Sequence, residues 1–514
     1  MPSDSSSWLQ SLKAFRHPRV ITMLFLGFSA GIPLLLIFSS LSLWLREAGI
    51  ERSTVTYFSW AALAYSFKFL WAPLVDRLPI PLLSRLLGRR RAWLLAAQIA
   101  VGLSILGIAQ IDPAQPAALH LMALVVVLLG FTAATQDIVI DAYRIESAGA
   151  ELQALMSSTY IAGYRIGMLA SGAGSLLLAS YFGSANHAYS YPAWHLTYAC
   201  MALTMLVGVV TTLVIREPET HQPSPYRYSN SQYLRFLGLF ALGVLAFIAS
   251  YVLTADPAVP MKAELGRLLH NPALAGLLVE ALRLTLGLVL AGLVLKALSL
   301  TPLYERRLVQ ESYIEPVRDF FQRYGKALAV LLLVFIGFYR ISDIVLGVIA
   351  NVFYEDMGFS KVEIAAVVKT FGLFMTIAGG FLGGIMAVRQ GVMRTLYLGA
   401  ILSAATNLLF IWLAVSGHDI RILYVVISAD NLTGGLASAA FVAFLSRLTN
   451  VSFTAAQYAI FSSLMTLLPK MIGGYSGGMV DNLGYPAFFL LTALMGIPVL
   501  WLLYRIQRRS TFDE

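Results

Sequence analysis

The chain has 514 residues, 58% hydrophobic and only 12% charged, with a net charge of +9 and a mean hydropathy of +0.75. Soluble domains carry about twice that charged fraction, so the composition excludes a soluble domain and indicates an integral membrane protein. The basic residues lie in short loops between apolar runs, without an Arg-rich arm or stacking platform, which argues against nucleic-acid binding.

The chain is polar through Arg19 and then apolar over residues 20–44. That run exceeds a signal-peptide core, so it is expected to be a retained first span. Runs long enough to cross roughly 30 Å of hydrocarbon begin near Val20, Ser53, Ala92, Ala117, Gln153 and Trp194, then near Phe236 and Gly276. Six more begin near Ala327, Lys361, Thr395, Arg421, Ala455 and Pro486. Many exceed strand length and none alternates as a barrel strand would, so fourteen transmembrane helices are expected. With the N-terminus in the cytoplasm, inner loops receive Arg16, Arg19, Arg85, Arg89, Arg90, Arg91, Arg306, Arg307, Arg318 and Arg323, whereas outer loops hold few cations. That bias places both termini inside.

Residues 216–235 (REPETHQPSPYRYSNSQYLR) read as a linker. The two spans after it hold Glu280 and Arg283, three apart on one helix and able to pair. Residues 301–326 read as an amphipathic connector at the cytoplasmic surface. The expected organisation is a six-helix bundle (1–215), a linker with an inserted hairpin and connector (216–326), and a second six-helix bundle (327–514).

Ionisable residues recur inside the spans at matched places. Lys68, Asp137 and Arg165 lie in spans two, four and five; Lys369, Asp430 and Lys470 lie in spans ten, twelve and thirteen. A charge at the bilayer centre costs about 2.5–3.5 kcal/mol on insertion scales, so such residues usually face a wet path. Repeated halves with polar groups at mid-depth indicate a secondary transporter. The segment GYSGG (474–478) matches a hydrolase pattern but falls inside a span, out of the strand–turn–helix context that chemistry needs. The sequence has no Walker loop, HExxH or Cys/His cluster. No enzyme, metal or cofactor is expected, and Cys200 reads as a small core residue.

WAPLVDR (71–77) followed by GRRRAW (88–93) resembles the loop between the second and third helices of the major facilitator superfamily, where an Asp and a basic cluster brace the cytoplasmic gate. The resemblance assigns that role to Asp76, Arg77, Arg89, Arg90 and Arg91. GFSAGIPLLLIFSSLSLWLREAGI (27–50), YSFKFLWAPLVDR (65–77), ATQDIVIDAYRIE (134–146) and GFYRISDIVLGVIANVFYEDMGFS (337–360) together resemble the AmpG-type muropeptide permeases. This similarity covers both six-helix halves, and an inserted hairpin is typical of the group. It implies a bacterial inner-membrane importer of N-acetylglucosaminyl-1,6-anhydro-N-acetylmuramyl peptides driven by the proton gradient, acting as a monomer among lipids. Alternatives are a related carrier of another anionic metabolite such as acetyl-CoA, or an enzyme or scaffold acting on lipid-linked saccharides.

For such an importer, Asp137 beside Lys68 supplies a carboxyl whose protonation would free a cation, with Asp430 as its repeat mate. The plainer alternative is a static ion pair. Asp141 lies one turn from Asp137 but ends its span, so a solvated cap or gate brace is expected there. Substrate carboxylates would need the cations Arg165, Arg340, Lys369 and Lys470, although Asp343 can neutralise Arg340 locally. Gln136 and Asn431 could hydrogen-bond sugar hydroxyls, and Tyr65, Tyr160, Tyr164 and Tyr339 could stack on the rings; Trp71 suits an interface anchor. The GxxxG pairs Gly27/Gly31, Gly163/Gly167, Gly380/Gly384 and Gly474/Gly478 are expected to bring helices close.

Overall fold

A backbone in hydrocarbon has no water to bond, so it must satisfy its own polar groups, and long apolar runs do so as helices. The computed structural model describes residues 13–51, 58, 63–115, 118–184, 189–219, 228–302, 304–473 and 476–509, and among them there is no strand. Thirteen helical stretches are long and apolar enough to cross a membrane. They are span one (Pro18–Glu47), three (Arg89–Ala109), four (Ala118–Ser147), five (Ala150–Tyr181), six (Tyr191–Val214), seven (Asn230–Leu253) and eight (Leu274–Ser299). Span nine lies within Arg306–Asp356, followed by ten (Lys361–Gln390), eleven (Val392–Ser416), twelve (Ile420–Leu448), thirteen (Val451–Gly473) and fourteen (Ser476–Arg509). The start expected for span two, Ser53, lies outside the described residues, as do Ala117 and Gly474. Span two is described as a helix at Leu63–Phe67, a tight 3-10 turn at Lys68–Leu70 and a helix at Ala72–Arg77.

By internal contacts the described residues divide into two units, one within Met1–Val75, Ile80–Gln222 and Tyr324–Glu514, the other within Asp76–Pro79 and Pro223–Arg323. In the larger unit the helix contacts repeat. Span one packs on five, three on four and six, and two on four. Spans nine on thirteen, eleven on twelve and fourteen, and ten on twelve do the same in the second half. The halves meet reciprocally: five against ten and twelve, thirteen against two and four. The first helix of each half is also broken, at Phe38 (φ −97°, ψ −92°) and between Phe338 and Ile341.

Glycine sets a close crossing between spans one and five. A Cβ on Gly163 would sit 1.9 Å from the Leu24 carbonyl oxygen, and one on Gly27 2.2 Å from that of Tyr160; Gly31 and Gly167 are as close. Both expected pairs therefore face each other, and a methyl group on either side would collide with backbone that cannot yield. Gly163→Ala is expected to lower the melting temperature in detergent, at a cost at or above the usual overpacking range of about 1–3 kcal/mol. Gly174→Ala, with open space around it, should leave melting unchanged; equal effects from the two would refute the packing account. In span ten the expectation holds for Gly384, which presses on Ser158 of span five, and not for Gly380, which meets nothing within 4 Å; Gly379 and Gly383 press on the Leu432 and Leu436 carbonyls of span twelve. Of the fourth pair, the described member Gly478 also meets nothing.

In the smaller unit, spans seven and eight pack together. Their connection, expected as a loop, is a 15-residue helix, Ala255–Leu269. Arg283 pairs with Glu280 at 2.9 Å as expected, and Lys262 from the connecting helix adds a second bond at 2.5 Å. The connector is helical at Arg306–Val309 and again from Glu315.

Candidate functional site

The 3-10 turn at Lys68–Leu70 tightens span two where its lysine must point inward, and the Lys68 side chain is only 5% exposed. Its ammonium pairs with Asp137 on span four and lies 3.6 Å from Asp141, one turn further on. Tyr160 on span five donates to the other Asp137 oxygen at 2.8 Å. The Tyr65 hydroxyl is buried without a partner, and Tyr65 and Tyr164 both lie within electrostatic range of Asp137. Asp137 itself is 17% exposed. The expected pair of Lys68 and Asp137 forms, with a phenol as third member.

Of the two expectations for Asp141, the solvated cap is corrected and the gate brace is left standing: it is buried, bonded to Arg144 at 3.2 Å and shared with Lys68. The reason is tertiary: spans two, five and thirteen close over the end of span four, and Arg144 fills the space between them. Arg144 is fully buried. It donates to Gln153 and Ser157 at 3.2 Å each and to Ser446 of span twelve at 2.7 Å. Its guanidinium also lies 5.2 Å from the ring centroid of Tyr458 on span thirteen. Sequence reasoning passed over Arg144; its position three residues after Asp141 was the available signal.

Arg165 of span five is half-buried and, among the described residues, has no ion pair or hydrogen bond. It lies within electrostatic range of Arg340 of span nine, a cation of the other half. Arg340 is partly neutralised as foreseen, 3.3 Å from Asp343, and donates to Ser438 at 2.5 Å. Asp430 is half-buried, within range of Arg340 and Asp343 but without an ion pair among the described residues. Lys470 is exposed and unpaired among the described residues; Lys369 is exposed and donates to Asn351 at 2.9 Å. Lys68 and Lys369 thus occupy equivalent helices in unlike environments.

Four further expected residues take the following places. Gln136 is fully buried and donates to Ser29 at 3.3 Å, turned away from Asp137 because neighbours on a helix face apart. Asn431 is half-buried, accepts from Thr376 and donates to the Ile427 carbonyl, which leaves one amide hydrogen and one lone pair for a further partner. Tyr339 is buried, stacked on Phe441 and bonded to the Leu396 carbonyl, so its face is not free for a sugar. Trp71 is no interface anchor: it is buried, donates to Thr135 at 3.0 Å and packs on Phe131.

The basic cluster before span three is anchored within the first half. Arg90 forks onto Glu146 at 2.5 and 2.9 Å, Arg89 lies 3.9 Å from it, and the Glu146 side chain is 1% exposed. Glu217 accepts the backbone N–H groups of Arg90 and Arg91 at 2.7 and 3.0 Å, filling the anion-seeking start of that helix. Burial pushes the Glu217 carboxyl above its ordinary range, partly offset by those two donors. Gly88 is required here: its φ is +89°, and a Cβ would lie 2.4 Å from the Glu217 side chain. Arg91 donates to the Thr212 and Leu213 carbonyls. Asp76 is buried, and Arg77 donates to the Glu311 carbonyl at 3.2 Å within the smaller unit.

Repeated helix contacts in two halves, with charged side chains held among membrane-length helices, have the character of a membrane carrier. The family model described as Major Facilitator Superfamily matches residues 23–338. The "Putative transporter AmpG 4" of Rickettsia conorii is 30% identical over 97% of this chain and 98% of its own length. The "Anhydromuropeptide permease" of Escherichia coli K12 is 28% identical over 96% of this chain and 81% of its own. The chain belongs to the major facilitator superfamily, as an AmpG-type permease. Among solved structures, the proton:xylose symporter XylE has a TM-score of 0.58 at 12% identity, covering 98% of this chain and 96% of that one. FucP in the outward conformation has 0.59 at 10%, covering 97% and 100%; both likenesses speak to the fold.

Proposed function

We propose that this transporter is a proton-coupled importer of anhydro-muropeptides across the bacterial inner membrane, with both termini in the cytoplasm. In this reading residues 1–215 and 327–514 form the two moving bundles, 216–326 an accessory hairpin and connector, and the monomer suffices. The observation that carries it is Arg165: a half-buried guanidinium with no ion pair or hydrogen bond among the described residues, within electrostatic range of Arg340 from the other half. Two like charges within electrostatic range favour a ligand anion near both, and a peptide carboxylate can take Arg bidentately. Tyr164, next to Arg165, and Lys470 are further candidates for contact. The name of the Escherichia coli relative supports the substrate. Asp137, bound to Lys68 and Tyr160, is the proposed proton carrier, and Asp430 a second candidate. The residues around Arg90 and Glu146 brace the cytoplasmic end.

Uptake of labelled anhydro-muropeptide into vesicles, with and without an imposed pH gradient, tests the proposal. Accumulation should occur only with the gradient, acid outside. Gradient-insensitive accumulation would remove the coupling, and no accumulation would remove the substrate.

A further inference from the structure

We infer that Arg144 is the latch that holds the two bundles together at the end where spans four and twelve finish. Its charge partner, Asp141, lies in its own bundle, whereas its contacts across the seam, Ser446 and the Tyr458 ring, are neutral. A latch with an acid on the far side would be a buried salt bridge, costly to break because a charge would be left unpaired. Here opening leaves the guanidinium its own carboxylate and surrenders one hydrogen bond and one cation–π contact. Among the described residues the buried Nε of Arg144 has no acceptor, and an unsatisfied buried donor costs free energy in the state that contains it.

Other contacts meet the seam. Gly384 of span ten presses against Ser158 of span five, and Phe15 packs edge-on against Phe381 at 5.1 Å. Arg144 differs from these because it shares Asp141 with Lys68, which holds Asp137. Lys68, Asp137, Asp141, Tyr160, Tyr458 and Arg144 form one connected set, so a change of partner at Lys68 shifts the guanidinium that spans the seam. Arg144 is thus a positioning residue for the opening step. The inference rests on alternating access of the two bundles and not on the identity of the substrate.

Spin labels at Ala150→Cys and Ser452→Cys, both exposed at this end, in a Cys200→Ser background would report the separation of the bundles by pulsed electron resonance. No muropeptide is needed, so the measurement stands whether or not the proposed substrate is correct. Arg144→Ala should raise the ratio of separated to closed molecules about tenfold, the scale of one charge-assisted bond. Arg144→Lys should restore part of the closed population. Ser446→Ala should shift the ratio in the same direction by a smaller factor while leaving the Lys68 cluster intact, and it decides the question if Arg144→Ala does not fold. Unchanged distances in Ser446→Ala, or in a folded Arg144→Ala with only a lowered melting temperature, would overturn the latch.

Discussion

Asp137→Asn is expected to abolish gradient-driven accumulation while leaving exchange of substrate across the membrane in place. With one proton per substrate, each pH unit supplies about 1.4 kcal/mol, or a concentration ratio of about ten. The amide keeps the shape of the carboxyl but has one oxygen where Asp137 offers two, so it can accept from Lys68 or from Tyr160 but not from both as Asp137 does, and it cannot take up and release a proton. The accumulation ratio under a one-unit gradient should therefore fall from about ten to about one. Counterflow, in which labelled substrate exchanges for unlabelled without net proton movement, should persist. The burial of Lys68 beside two carboxylates gives the variant a second consequence: the ammonium keeps Asp141 alone. Full accumulation by Asp137→Asn would reduce the pair to helix packing and pass the proton role to Asp430.

Arg165→Ala is expected to raise KM for the proposed substrate by roughly 10–100-fold, the range of a lost hydrogen bond to a charged group. Arg165→Lys should recover part of that loss, because it restores the charge but not the planar fork. The informative comparison is a substrate analogue whose peptide carboxylates are amidated. If Arg165 holds a carboxylate, the analogue should bind poorly to the parent and lose little more in Arg165→Ala. A KM unchanged in Arg165→Ala would leave this cation as a device for keeping the bundles apart by repulsion from Arg340.

The membrane class, the span order, the repeat and the Lys68–Asp137 pair were legible in the linear chain because each depends on local composition or on helix equivalence. Gly27, Gly31, Gly163 and Gly167 were legible for the same reason: a four-residue spacing puts two glycines on one helix face. Gly379 and Gly383 were missed because two overlapping GxxxG registers, one residue apart, are equally good as patterns. Which glycine meets which neighbour depends on the rotation of span ten: Gly379 and Gly383 meet span twelve, Gly384 meets span five, and Gly380 meets neither.

What sequence alone could not decide is which way each polar side chain faces. Gln136, Asn431 and Tyr339 are sound sugar-binding types by chemistry, yet helix rotation turns them to Ser29, Thr376 and the Leu396 carbonyl. Asp141 reads as a solvated cap or a gate brace from its place near a span end, and only the packing of the second half buries it with Arg144. The sequence by itself determined an all-helical membrane chain with repeated halves and a carboxylate–ammonium pair in the first half. The tertiary structure decided that Arg165 is left unpaired among the described residues, within electrostatic range of Arg340, and that Arg144 crosses the seam. The physical reason is that hydropathy and helical period constrain a helix along its length, whereas contacts between helices of different halves are set by rotation and tilt, which no local pattern encodes.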